Sequence, residues 1–164
     1  MIAATPEKFA NDIFLGQPPE SLAGGEVARA RGYKQKGLAV FAAARKNVDA
    51  TWRDKAKDEE YYRRVAELDA GLGRKEEAIR EALRAVDLMP IAKDPFVGPF
   101  SVRNLALVYA WTGERDRALE QLEKIATIPA GPTYGDLRFN PCWDSLRGDP
   151  RFNKIIAAAK AASR

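Results

Sequence analysis

The sequence predicts an all-α fold built from repeated antiparallel pairs of helices. Three observations support this prediction. Alanine, which has the highest intrinsic helix propensity, accounts for 28 of the 164 residues. No stretch alternates apolar and polar residues with the period of two that a half-buried strand shows, and no Asn-Gly or Asp-Gly pair marks a hairpin turn. A pattern of glycine and small residues recurs three times along the chain.

The recurring pattern begins at Gly32, Gly73 and Gly113, which are separated by 41 and 40 residues. We interpret the glycine as the turn between two helices, because glycine adopts the required backbone conformations without strain. Small side chains on the second helix would then let the two helix axes approach closely. The residues five, nine and twelve positions after each glycine are Gly37, Phe41 and Ala44; Ala78, Ala82 and Ala85; and Ala118, Leu122 and Ile125.

Start and stop signals place the helices along the chain. Thr5-Pro6 and Asp149-Pro150 each combine an N-cap residue with a proline at the first helical position. Glycine and proline residues separate the helices that lie between these two signals. The predicted helices cover about 6–15, 20–31, 34–55, 58–71, 74–89, 100–112, 115–128 and 150–162.

These helices predict three regions. Residues 1–19 form a short N-terminal helix and a linker. Residues 20–130 contain three helix pairs, at about 20–56, 58–90 and 100–129. Residues 131–164 form a C-terminal cap, in which Trp143, Leu146 and Phe152 are expected to cover the apolar face of the last pair.

The composition argues against catalysis. The chain has no histidine, so it cannot build a Ser-His-Asp or Cys-His system or offer a histidine metal ligand. Its single cysteine excludes internal disulfides and cysteine-rich zinc sites. The carboxylate pairs Glu59-Glu60 and Glu76-Glu77 are adjacent in a helix and therefore face different directions. We expect no enzymatic activity, no metal site and no cofactor.

The charge pattern is typical of solvated helix surfaces. The 27 basic and 23 acidic residues give a net charge of +4, and both signs are interleaved, as in residues 53–60. A nucleic-acid partner is therefore not expected. No apolar run is long enough to span a membrane, and residues 1–8 lack the pattern of a signal peptide. Together with the lone thiol of Cys142, these features predict a cytoplasmic location.

The residues before Gly113 carry a known repeat signature. Val102, Leu105, Ala106 and Tyr109 have the spacing W-x2-L-G-x2-Y, with Val in place of Trp and Ala in place of Gly. With this signature and the three repeats, residues 20–130 resemble the tetratricopeptide repeat family, whose unit is about 34 residues long. The repeats in this chain are longer than the family's repeat by about six or seven residues. The resemblance implies a right-handed superhelix of stacked helix pairs with a concave face.

A narrower resemblance lies towards the C-terminal end. Residues 137–152, LRFNPCWDSLRGDPRF, are similar to the closing element of the tetratricopeptide tails of bacterial multidomain kinases, adenylate cyclases and winged-helix regulators. The linker 88–99 and residues 128–131 are similar to the same group. Nothing in the sequence resembles the kinase, cyclase or DNA-binding domains themselves, since there is no glycine-rich phosphate loop or kinase signature. The resemblance therefore implies a repeat tail.

In the tetratricopeptide family the first helix of each pair lines the concave face, so the resemblance implies a binding face for a protein or peptide partner. Arginine can bind a carboxylate through two hydrogen bonds, and tryptophan offers apolar area. The alternatives are a solvated surface for the arginines and packing between helices for Trp111. Asn104 is expected to be a surface amide. The candidate residues are Glu60, Arg63, Glu67, Phe100, Arg103, Leu107 and Trp111.

The leading hypothesis is a non-catalytic scaffold for protein–protein interactions. The alternative is a regulatory or dimerisation tail, which would act on a kinase, cyclase or DNA-binding domain of the same protein. The linker 91–99, with Phe96 and Phe100, would then be the docking surface, and a homodimer is one form of this alternative.

The clamp with which this family binds C-terminal carboxylates is not expected. It needs lysine, asparagine and arginine side chains across three first helices. The corresponding positions hold Leu22, Glu26, Arg64, Phe100 and Asn104.

Overall fold

The computed structural model of the protein describes residues 29, 32, 34–52 and 58–162. Within these residues every regular element is helical, as the sequence predicts, and there is no strand. Several predictions fall outside the described residues. They concern the N-terminal region 1–19, the helices 6–15 and 20–31, of which only Arg29 is described, and the clamp positions Leu22 and Glu26. The helices are α1 (Lys34–Thr51), α2 (Glu59–Gly71), α3 (Lys75–Leu88), α4 (Gly98–Trp111), α5 (Arg115–Ile125), α6 (Tyr134–Phe139), a 3-10 helix (Pro141–Leu146) and α7 (Pro150–Ala162).

The helix bounds follow the local signals closely. The predicted segments 58–71, 74–89, 100–112 and 115–128 correspond to α2, α3, α4 and α5, with shifts of three residues or fewer at each end. Helix α7 has the predicted bounds, and the Asp149 carboxylate accepts a hydrogen bond from the Arg151 backbone N–H at 2.8 Å.

Helix α6 and the 3-10 helix were not predicted. They are single short turns capped by Thr133 and Asn140, and six residues are too few to show a helical period.

The repeat glycines end the first helix of each hairpin. Gly73 and Gly113 have φ angles of +80° and +88°, in the left-handed region that favours glycine. After these glycines, the backbone N–H of Arg74 donates to the Asp69 carbonyl and that of Glu114 donates to the Tyr109 carbonyl, each at 2.8 Å. This six-residue hydrogen bond around a left-handed glycine is the Schellman motif. The two hairpins therefore use the same turn, as the equal offsets predict.

The second helix of each hairpin packs through the residues that follow the glycine at fixed offsets. The residues five, nine and twelve positions after the three repeat glycines, from Gly37 to Ile125, are all buried. Helices α2 and α3 form one hairpin, α4 and α5 form the next, and α4 packs against both α2 and α3. Eleven of the fourteen residues of α4 are buried, because α4 is covered on most of its sides.

Helix α1 docks on α2 through a close contact between an aromatic ring and a glycine. Phe41, which is buried, packs with Ala44 and Leu68. A Cβ atom on Gly71 would lie only 2.6–2.8 Å from three atoms of the Phe41 ring. The ring centroid of Phe41 also lies 6.0 Å from that of Trp111. Glycine at position 71 is therefore needed for α1 to approach α2 this closely.

The C-terminal region completes the core instead of forming a separate layer. Trp143, Leu146 and Phe152 are all buried in the same cluster as the side chains of α4 and α5. The 3-10 helix contacts α4, and α7 contacts α5 and α6. Burial of these three side chains against the last hairpin confirms the packing expected for them.

Gly71→Ala tests the close approach of α1. Alanine would raise the intrinsic helix propensity by about 1 kcal/mol, but its methyl group would overlap the Phe41 ring. We expect the free energy of unfolding to fall by about 1–3 kcal/mol, the usual cost of overpacking. Urea denaturation monitored by circular dichroism measures this change.

Gly135→Ala is the matched control, because a Cβ at Gly135 would meet only the Thr133 hydroxyl, at 3.8 Å. It should leave the stability unchanged or slightly higher. A Gly71→Ala protein as stable as the control would show that the contact with Phe41 is not limiting.

Candidate interaction surface

The candidate residues lie on two helices that contact each other. Glu60, Arg63 and Glu67 are on α2, and the other four are on α4. Helices α2 and α4 pack side by side, with α6 next to the first half of α4 through the contact between Arg103 and Asp136. Spacings of three and four residues place side chains on one side of a helix.

The charged candidates on α2 are paired within the chain. The guanidinium of Arg63 donates to Glu59 at 3.1 Å, one helical turn earlier. Glu60 accepts from the Nε of Arg64 at 3.0 Å. Glu67 accepts from the side-chain amide of Asn104 on α4, at 3.3 Å. A partner that binds here therefore meets charges that already have partners.

A polar seam joins α2 to α4. The Ser101 hydroxyl donates to Glu59 Oε1 at 2.6 Å, and both residues are buried. Asn104 is only 4% exposed, so the expectation of a surface amide is wrong. Its Oδ1 atom is buried and has no hydrogen-bond donor among the residues that the structure describes. Sequence reasoning missed this seam, because Ser101 and Asn104 lie outside the signature positions 102, 105, 106 and 109.

Arg103 is held in one orientation by Asp136. Its Nε and Nη2 atoms donate to the two carboxylate oxygens at 3.0 and 2.7 Å, and its guanidinium lies 5.3 Å from the ring centroid of Trp143. Burial by itself lowers the pKa of Arg103, but the hydrogen bonds and charge of Asp136 outweigh it and raise the pKa. Arg103 therefore stays charged and pre-oriented on a half-buried surface.

Asp136 is the centre of this arrangement. Burial alone would raise the pKa of its carboxyl group, but the hydrogen bonds and charge of Arg103, with further bonds from Asn140 and Trp143, hold the pKa below its ordinary value. Asn140 donates at 3.0 Å and the Trp143 indole at 3.4 Å. Sequence reasoning missed Asp136, because its partner Arg103 is 33 residues away.

The remaining two candidates on α4 are part of the packing. Leu107 is 1% exposed and belongs to the main core cluster, so its side chain is not available to a partner. Trp111 donates from its indole nitrogen to the Cys142 carbonyl at 3.1 Å, and Arg29 lies over its ring at 4.6 Å from the centroid. The packing interpretation of Trp111 agrees with these contacts.

Three phenylalanines are exposed on α4, on α6 and in the linker that precedes α4. Phe96 is 71% exposed, Phe100 44% and Phe139 71%. The rings of Phe96 and Phe100 meet edge to face with their centroids 6.2 Å apart. Phe100 precedes Arg103 by one helical turn, and Phe139 follows Asp136 by one turn. We call Phe96, Phe100, Phe139 and the Arg103–Asp136 pair the aromatic patch.

An open groove of about 700 Å³ lies elsewhere, between α2 and α3. Its apolar lining includes Tyr62, Ile79 and Leu83, and none of the seven candidate residues contributes to it. The charged side chains around it carry both signs. The groove is therefore separate from the surface that the sequence predicts.

Comparison of the chain with protein-family models, with curated proteins and with solved structures finds no match. The resemblance to tetratricopeptide repeats and to bacterial repeat tails therefore stays a prediction. None of the helices in the described part of the chain is both long and apolar enough to cross a membrane. The described residues also contain no group of three or more potential acidic, cysteine or histidine metal ligands.

Asp136→Asn tests the ion pair. The substitution removes the charge that Arg103 faces, so we expect the free energy of unfolding at pH 7 to fall by about 1–3 kcal/mol. Because the folded state lowers the pKa of Asp136, the wild-type advantage is present at neutral pH and is lost as the pH falls through that lowered pKa. Urea denaturation at pH 7, 5, 4 and 3 should therefore show the two proteins converging in acid.

Asp144→Asn is the control for this experiment. The Asp144 carboxylate pairs with Arg147 at 2.6 Å, but 60% of its side chain is exposed. An exposed pair contributes about 0–1 kcal/mol, so this variant should be close to the wild type at every pH. Equal losses for the two variants would contradict a special role for Asp136.

Proposed function

We propose that the protein is a non-catalytic scaffold that binds a protein or peptide partner through the aromatic patch, on helix pairs stacked as in a tetratricopeptide superhelix. The observation that carries the proposal is the exposure of Phe100 and Phe139, each one helical turn from a member of the pre-oriented Arg103–Asp136 pair, with Phe96 exposed against Phe100. Large exposed apolar side chains that lie close together mark interaction sites on soluble proteins. Aromatic residues and arginine are also the residues most enriched at binding hot spots.

The energetics of the patch favour an apolar partner segment. Full burial of a phenylalanine side chain contributes about 1.5–3 kcal/mol. Arg103 already has its orientation fixed by two hydrogen bonds, so binding would cost little additional side-chain entropy there. The charges on α2 are paired internally through Arg63 and Arg64. We therefore expect aromatic or aliphatic side chains, rather than a strongly charged motif, to dominate the partner sequence.

The proposal refines the set of binding residues. Phe100 and Arg103 form its centre, and Glu60, Arg63 and Glu67 lie on the adjacent helix α2 as its margin. Leu107 lies in the core and Trp111 packs against it, so neither side chain is part of the proposed contact surface. A cytoplasmic location and the absence of a nucleic-acid partner remain predictions from the sequence.

Peptide selection tests the patch. Peptides selected from a random displayed library on the wild-type protein would be measured for affinity by fluorescence anisotropy. Phe100→Ser and Phe139→Ser should each weaken binding at least about tenfold, since loss of a hot-spot side chain costs more than about 1.4 kcal/mol.

Leu83→Ser is the matched control, because Leu83 is an exposed apolar residue in the groove of α3. It should leave the affinity unchanged. Selected peptides that bind both phenylalanine variants as tightly as the wild type, or that lose affinity only on Leu83→Ser, would contradict the proposal.

Self-association through the same patch is the second candidate, in line with a dimerisation tail. It is favoured by Phe96, which lies in the linker between the two hairpins and is the more exposed member of the Phe96–Phe100 pair. Static light scattering over a wide concentration range decides between the two. A concentration-dependent dimer that Phe96→Ser and Phe100→Ser disrupt would support it, and a monomer at every concentration would exclude it.

A further inference from the structure

A buried ionic cluster lies where α1, α2 and α3 meet. Asp69, near the end of α2, is only 2% exposed. Its Oδ2 atom accepts from the Nε of Arg45 on α1 at 3.2 Å, and its Oδ1 atom accepts from Nη1 of Arg74 at 3.0 Å. Both carboxylate oxygens of Asp69 are thus bound to arginine. Arg45 also pairs with Asp49, one turn further along α1.

The repeat register shows why this cluster is unusual. Asp69 precedes Gly73 by four residues, as Tyr109 precedes Gly113. The α4–α5 hairpin has a buried aromatic ring at this position, and the α2–α3 hairpin has a carboxylate there. A buried charge is tolerated only where partners compensate for the loss of hydration. For Asp69, the side chains of Arg45 and Arg74 provide that compensation.

Glu81 on α3 brings a second carboxyl group to the same place. Its carboxyl group lies close enough to Asp69 to share a proton with it, while its Oε2 atom is buried without a donor among the described residues. Two carboxyl groups can form a hydrogen bond only if one of them holds a proton. Since both oxygens of Asp69 already accept from arginines, the proton belongs on Glu81.

The charged groups around Glu81 agree with this assignment. Burial, followed by the charge of Asp69 and the hydrogen bond to it, raises the pKa of Glu81 from an ordinary 4.5 to about 7. Arg45 on α1 and Arg80 on α3 oppose this shift with smaller effects. Asp49 of α1 and Arg74 of the turn complete the charged groups of the cluster and pair with Arg45 and Asp69.

We propose that the proton shared by Glu81 and Asp69 is a switch that controls how firmly α1 docks on the α2–α3 hairpin. With the proton present, Glu81 donates to Asp69, and Asp69 holds Arg45 of α1. Without it, two carboxylates lie side by side, Asp69 buried and Glu81 half-buried at the open groove, and compete for the same guanidinium. The repulsion is relieved when α1 moves away and water reaches the cluster.

The sign of the effect follows from proton binding. In the docked structure Glu81 titrates at about 7, and after release of α1 it would titrate closer to its ordinary 4.5. Between these two values the docked state binds more protons, so docking weakens as the pH rises and levels off above the higher value. This dependence is opposite to that of Asp136, whose ion pair is lost in acid.

Hydrogen exchange of the α1 amides tests the switch on the whole protein. Protection factors, corrected for intrinsic exchange at each pH, would be measured by mass spectrometry from pH 5 to pH 8. We expect the wild type to lose up to about a hundredfold in protection over this range, since about two units of the pKa difference lie between pH 5 and pH 7 and each unit changes the docking equilibrium tenfold. Glu81→Gln, whose amide donates to Asp69 at any pH, should keep the high protection throughout.

Glu77→Gln is the matched control, because Glu77 is an exposed glutamate one turn earlier on α3. It should show the same loss of protection as the wild type. Wild-type protection that does not change with pH, or a Glu81→Gln protein that keeps the wild-type dependence, would overturn the proposal.

A direct titration needs no variant. The carboxyl ¹³C shift of Glu81 in the wild-type protein reports its own protonation. A midpoint between pH 6 and pH 8 supports the switch, and a midpoint below pH 5 overturns it even if Glu81→Gln fails to fold.

Discussion

Each of the two hairpins that the structure describes depends on a glycine that ends its first helix in the left-handed conformation. At Gly73 and Gly113 this conformation closes a Schellman hydrogen bond and reverses the chain within three residues. The reversal lays the small side chains of the second helix against the first. Because these side chains are mostly alanines in the first hairpin, α2 and α3 approach closely, and α1 and α4 then pack on the surface that they form.

The two ends of the stack are joined by polar contacts for which we expect opposite responses to pH. At one end α1 is held by Arg45 and Asp69, beside a glutamate whose protonated form is favoured by burial. At the other end α6 is held by Arg103 and Asp136, whose ionised form is favoured by its hydrogen bonds. We expect the Arg103–Asp136 pair to be fully formed at neutral pH, where the proposed switch at Glu81 is close to its midpoint.

The charged and the aromatic residues of the contact surface have different roles. Most charges on α2 and α4 are used to hold helices together, so they contribute rigidity and do not offer a free charge to a partner. What remains exposed on this side is aromatic. Trp111 links the surface to α1, since it contacts Phe41 on one side and the Cys142 carbonyl on the other.

The sequence by itself determined the longer helices, the turns of the two hairpins and the residues that pack after each glycine, because these depend on contacts within a few residues; the short helix α6 and the 3-10 helix were missed. Its helical spacing also placed Phe100 and Arg103 on one side of the same helix. It did not identify the partners of the buried charges, since Asp136 is 33 residues from Arg103 and Asp69 is 24 residues from Arg45. Helical periodicity assigns one buried stripe to a helix, but α4 is covered on most sides by its neighbours. Only the tertiary structure therefore decided that Leu107 and Trp111 belong to the core and that Phe139 lies exposed beside Asp136.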